Sequence, residues 1–137
     1  MKFSERLREH KHLGMLGLRL VIGVIFILHG IMKWRMLHTA GGVSLPPAMV
    51  NLFSFLSIVE PLGGLALILG FLTEWAALGL ALIMVGAIYF KINVLHIGFI
   101  AQNTTGWEFD LTLLAGNLSL IFSGAGKYSL DRMWKKK

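Results

Sequence analysis

Residues 13–34 read LGMLGLRLVIGVIFILHGIMKW. Arg19, His29 and Lys33 are the only ionisable side chains in this run. A helix rises 1.5 Å per residue, so the run is long enough to cross the roughly 30 Å apolar core of a bilayer. Its reading decides the fold class, because a soluble domain has no use for so long an apolar helix. The run also poses a problem. His29 and Lys33 are four residues apart and share a helix face, which places two potential cations side by side within or near lipid.

The rest of the chain supports a membrane protein. Of its 137 residues, 55% are hydrophobic and only 15% charged, against about 25% charged in soluble domains. Mean hydropathy is +0.71. There is no cysteine, which excludes disulfides, thiolate metal sites and thiol-relay chemistry. The net charge of +6 does not indicate nucleic acid as a partner. Lys2, Arg6, Arg8 and Lys11 cluster at one end of the chain, and Lys127, Arg132, Lys135, Lys136 and Lys137 at the other. Basic ends flanking apolar spans are what membrane orientation requires.

Four spans are predicted: residues 13–34, 50–72, 75–96 and 107–123. RMLHTAGGVSLPPAM (35–49) is a loop by its Gly-Gly and Pro-Pro. FLTEW (71–75) leaves room only for a tight antiparallel hairpin, and IGFIAQNTTG (97–106) is polar and turn-rich. The fold expected is an all-α integral membrane protein, a single domain forming a four-transmembrane-helix antiparallel bundle. Both basic termini are expected on the cytoplasmic side of a bacterial inner membrane. Trp34, Trp75, Trp107 and Trp134 fall at predicted span ends, as interfacial aromatics do. The apolar run is too long for an ordinary signal peptide and no A-x-A site follows it, so a retained first helix is expected.

An ionisable group within a span costs about 2.5–3.5 kcal/mol at the centre on insertion scales, so each needs a reason. Arg19, near the inner end of the first span, can snorkel to the interface. Glu60 lies ten residues into the second span, about 15 Å deep, too deep to snorkel easily. His29, Lys33, Glu60, Lys91, His96, Glu108 and Asp110 all fall in the outer half of the bundle. The carboxylates make the cations tolerable there, because buried charges persist when paired. Which cation pairs with Glu60 stays open among His29, Lys33 and Lys91. Pro61, followed by Gly63 and Gly64, removes a backbone donor and marks a break in the second helix. Plainer readings stand beside these: interfacial anchoring for Lys33 and His96, snorkelling for Lys91, helix-start acids for Glu108 and Asp110, a structural histidine at His29, and a structural ion pair at Glu60.

The chain resembles the DoxX family of small four-helix bacterial membrane proteins over nearly its whole length. The segments that carry the resemblance are LRLVIGVIFILHGIMKW (18–34), VEPLGGLALILGFLTEWAALGLALIMVGAI (59–88) and GWEFDLTLLAGNLSLIFSGAGKYSLDR (106–132). The resemblance implies association with respiratory or detoxifying redox systems: quinol oxidation, thiosulfate:quinone oxidoreduction, and responses to oxidative or electrophilic stress. Arg19, His29, Lys33, Glu60, His96 and Glu108 fall on polar positions of the family pattern.

The leading functional expectation is a membrane subunit of, or accessory to, a quinone-linked redox system. His29 would donate to a quinone carbonyl, and Glu60 would pass protons. Lys33 or Lys91 would stabilise quinol anion charge, with His96 and Glu108 completing the ligand-binding set. Phe26, Tyr89 and Trp107 would supply ring contacts. Arg19, Pro61, Gly63 and Gly64 are assigned to structure. With no Cys, flavin fingerprint or haem motif, electrons would come from a partner subunit or from a bound haem or metal. No dedicated metal site is assigned, although His29, Glu60, His96 and Glu108 are chemically able to ligate. The alternatives are a non-catalytic anchor or assembly subunit, and a small-solute or proton transporter. In the anchor role, Ala77/Ala81 and Ser119/Ser123 would offer small-residue packing faces. A homo-oligomer fits either.

Overall fold

The computed structural model describes residues 3–39 and 44–135. Lys2, Gly41, Gly42, Lys136 and Lys137, used above, lie outside the described residues. Among the described residues there is no strand. The helices are α1 (Phe3–Glu9), α2 (Lys11–His38), α3 (Pro47–Leu69), α4 (Thr73–Asn93), α5 (Trp107–Ser123) and α6 (Leu130–Trp134). α2, α3 and α4 are long and apolar enough to cross a membrane. α5 is a fourth apolar helix of 17 residues, about 25 Å long. The short helices α1 and α6 were not anticipated.

Local chemistry moves four of the expected boundaries. α2 runs one turn past Trp34, with Arg35 and His38 in its last turn, where cations suit the exposed carbonyls. α3 begins at Pro47 rather than Val50, because proline at a first helical position gives up a donor the helix cannot use there. It stops at Leu69 rather than Leu72. Gly70 takes the left-handed conformation (φ 67°), and the Phe71 and Gly70 N–H groups turn back to the Ala66 and Leu67 carbonyls at 2.9 and 3.1 Å, a Schellman cap. α4 ends at Asn93, and His96 lies beyond it with φ 52°. The expected third span to His96 is therefore too long.

α2 packs most extensively on α3, and α4 on α5. The α2–α3 seam is built on glycine. A Cβ on Gly23 would stand 2.6 Å from the Gly64 carbonyl oxygen, and a Cβ on Gly30 would collide with the Pro61 ring. Pro61 cannot donate to the Ser57 carbonyl one turn back, and Gly30 covers that carbonyl. This is how a broken ladder is tolerated at membrane depth. Gly63 faces Leu80 of α4. Phe26, Leu67, Leu80, Leu113 and Leu120 fill the centre. Ala77 and Ala81 are buried within the chain, whereas Ser119 and Ser123 face outward. The small-residue contact that closes the bundle is thus Gly23–Gly64, not the serines.

Arg19 corrects a second expectation. It does not snorkel: it is 1% exposed. Its guanidinium donates to the carbonyls of Leu67 (2.7 Å), Ile68 (2.8 Å), Ala125 (2.7 Å) and Tyr128 (2.7 Å). The end of a helix leaves carbonyls without partners, and a planar fork of donors satisfies several at once. Asp131 does the converse for α4. Its carboxylate accepts from the Leu72 and Thr73 N–H groups at 2.7 and 2.9 Å, and its own N–H donates to the Gly70 carbonyl at 2.9 Å. These bonds fold the segment after α5 back onto the α3–α4 turn. The start of α2, the α3–α4 turn and α6 therefore share one end of the bundle, the terminal end. The two longer loops occupy the other, the loop end.

Candidate functional site at the loop end

The loop end gathers charge from all four long helices. Lys33 of α2 meets Glu60 of α3, Nζ to Oε2 2.7 Å, with the Glu60 side chain 2% exposed. The register is fixed locally. Gly30 seated on Pro61 brings the next turn of α2, carrying Lys33, beside Glu60. The pairing left open in the sequence is thus Lys33–Glu60. Lys91 of α4 meets Asp110 of α5 at 2.6 Å and also donates to the Gly106 carbonyl at 3.3 Å. Each pair joins two consecutive helices, and each is net neutral, which lowers the cost of holding charge there.

His29 stands between the two pairs. Its ring stacks on Phe109 of α5, centroids 5.6 Å apart and planes inclined by 25°. Lys33, Asp110 and Lys91 all lie within electrostatic range of it. Among the described residues, no hydrogen bond is made by its ring nitrogens. Glu108, in the first turn of α5, keeps one buried carboxylate oxygen, Oε2, without a partner. Gly106 holds it in place. A Cβ there would collide with Glu108 Oε2 and with the Phe99 carbonyl, and the Glu108 N–H donates to that same carbonyl at 3.2 Å.

His29, Lys33, Glu60, Lys91 and Glu108 therefore share this end, though Glu60 and both lysines are already engaged with partners. His96 stands apart, exposed in the loop after α4. The expected ring contacts do not converge. Phe26 is fully buried, Tyr89 is 66% exposed on the outer surface, and Trp107 packs edge-on against Phe99 at 4.6 Å. Phe109 takes their place, and Asp110 joins the set as the partner of Lys91. Phe109 carries no signal in the sequence, because it meets His29 only through the α2–α5 register, whereas Asp110 is among the acids expected in the outer half, where the sequence leaves its partner open. Among the described residues no group of three His, Asp or Glu side chains is arranged to hold a metal ion. The site therefore offers one free imidazole on an aromatic floor, one orphaned carboxylate oxygen, and two neutral ion pairs around them.

No solved structure matches the chain. It is 33% identical over 133 residues to the "Uncharacterized membrane protein Rv3486" of Mycobacterium tuberculosis, covering 88% of this chain and 80% of that one. It is 28% identical over 124 residues to the Bacillus subtilis protein named "Putative oxidoreductase CatD", covering 87% and 85%. It is 28% identical over 137 residues to the inner membrane protein YqjF of Escherichia coli, covering 96% and 99%. The DoxX family model matches residues 14–93, the part that contains Arg19, the glycine seam, His29, the Lys33–Glu60 pair and Lys91. With that match and relatives along most of its length, the chain belongs to the DoxX family of membrane proteins.

Proposed function

We propose that this protein is a membrane subunit of, or accessory to, a quinone-linked redox system, with its ligand site at His29 and Phe109. One observation carries the proposal: a half-buried imidazole with no hydrogen-bond partner among the described residues, stacked on an aromatic ring between two closed ion pairs. A quinone fits this donor set. It is flat and apolar, suited to the Phe109 ring, and its carbonyls need donors. His29 would hold one carbonyl, and Glu108 keeps a carboxylate oxygen that no bond engages. When bound, such a group takes up or releases two electrons and two protons. The name of the Bacillus subtilis relative supports a redox setting. Without cysteine, this chain has no thiol donor, so electrons would come from a partner subunit. Both termini inside remains the orientation favoured by the basic chain ends.

A second reading has its own support. Lys33–Glu60 and Lys91–Asp110 are complete pairs, each tying neighbouring helices together, as expected of an anchor or assembly subunit whose polar residues hold the bundle. Gentle purification from membranes, followed by mass spectrometry and visible absorbance, separates the two. Co-purified quinone that is lost on His29→Phe supports the redox site. A ligand-free protein that still brings down another membrane subunit supports the anchor.

A further inference from the structure

The terminal end carries two clefts, and α6 lines both. One, of about 410 Å³, has a mixed lining that includes Thr73, Glu74, Asp131, Arg132 and Lys135. The other, of about 470 Å³, is apolar and is lined by Phe71, Leu130, Met133 and Trp134. They meet at the α3–α4 turn, where Phe71 lines one and Leu72 the other. Met133 and Trp134 are 67% and 72% exposed, although water is a poor environment for either. Trp75, which also lines the first cleft, is 72% exposed at the start of α4. Two exposed tryptophans where apolar helices end mark the depth of lipid headgroups.

We propose that α6 and the α3–α4 turn form a binding site for a phospholipid with an anionic headgroup. Its phosphate would lie at Arg132 and Lys135, and an acyl chain would run along Phe71, Met133 and Trp134. Charge favours this over a neutral lipid. Both Asp131 oxygens are engaged with the Leu72 and Thr73 N–H groups, so that carboxylate is balanced by the start of α4. Glu74 is then the remaining acid among the residues that line the cleft with Arg132 and Lys135. Arg132 and Lys135 are exposed, and no bond within the described residues engages their charged groups. Basic side chains beside an apolar, aromatic face are how a short segment binds an anionic membrane surface.

The test is native mass spectrometry of the full chain in mixed micelles containing equal amounts of dioleoyl-phosphatidylglycerol and dioleoyl-phosphatidylcholine. The wild type should retain phosphatidylglycerol severalfold over phosphatidylcholine. Arg132→Gln with Lys135→Gln should abolish the preference, and Trp134→Ala should lower retention of both lipids. Lys127→Gln, at the same end but outside both clefts, should leave the preference intact. All these side chains are exposed, so melting temperatures should not change. No preference in the wild type, or one that survives the double substitution, would overturn the proposal. An equal loss in Lys127→Gln would overturn it too, by showing a diffuse charge effect. So would displacement of the lipid by glycerol phosphate, which would indicate a site for soluble phosphates.

Discussion

The two ends of the bundle use charge in opposite ways. At the terminal end, charge is used on the backbone. Arg19 donates to four carbonyls at the end of α3 and in the segment after α5, and Asp131 satisfies two N–H groups at the start of α4. At the loop end, charge is used on charge. Lys33 closes on Glu60 and Lys91 on Asp110, while His29 and one oxygen of Glu108 are left over. A group fully engaged with the backbone cannot be withdrawn without opening the fold. A side chain left over beside closed pairs can bind or exchange a proton at little structural cost. The contrast separates the part of the molecule that fixes the bundle from the part in which we propose that the ligand binds.

The largest effect should come from the terminal end. Arg19→Leu takes the side-chain donor from the Ile68, Ala125 and Tyr128 carbonyls and one of two donors from Leu67, and should cost about 4 kcal/mol, enough to prevent accumulation of folded protein. Arg19→Lys should rescue little, because an ammonium cannot reproduce the planar fork. Thermal unfolding in detergent measures both, and a stable Arg19→Leu protein would collapse the contrast between the ends. The glycine seam comes next. Gly64→Val forces a branched side chain against Gly23 and Ile27 and should cost about 3 kcal/mol by overpacking.

How far these features could be read from sequence follows from their physics. The four long helices were legible because apolar length and turn residues are local properties. The need for a cation at Glu60 was legible from depth alone, but the choice of Lys33 was not, because it depends on Gly30 seating against Pro61. The role of Arg19 is not legible because its partners lie 48 to 109 residues away, at the end of α3 and in a segment after α5 whose folding back leaves no periodic trace. His29 was singled out as a polar residue in an apolar helix, yet its companion Phe109 looked like any other core aromatic. His96, expected in the same ligand-binding set as His29, lies beyond the end of α4 at Asn93, in an exposed loop.

At the loop end the effects should be smaller. Lys33→Met leaves Glu60 buried without its cation and should cost about 2 kcal/mol, less than a fully enclosed pair because Lys33 is 15% exposed. The double variant Lys33→Met with Glu60→Met should be more stable than the sum of the single losses, by about 1–3 kcal/mol. Strict additivity would show that the pair does not act as a unit. His29→Phe should change stability least, by about 1 kcal/mol or less. If it unfolds the protein instead, His29 belongs with Arg19 as a structural residue.

The most direct measurement is photolabelling of the membrane-embedded protein with an azido-quinone, followed by peptide mapping. Labelling at the loop end, on peptides containing His29 and Phe109, that is suppressed by unmodified quinone and lost in His29→Phe, is the predicted result. Labelling that concentrates around Arg19 and α6, or spreads evenly over the lipid-facing helices and persists in His29→Phe, would contradict the assignment of chemistry to the loop end.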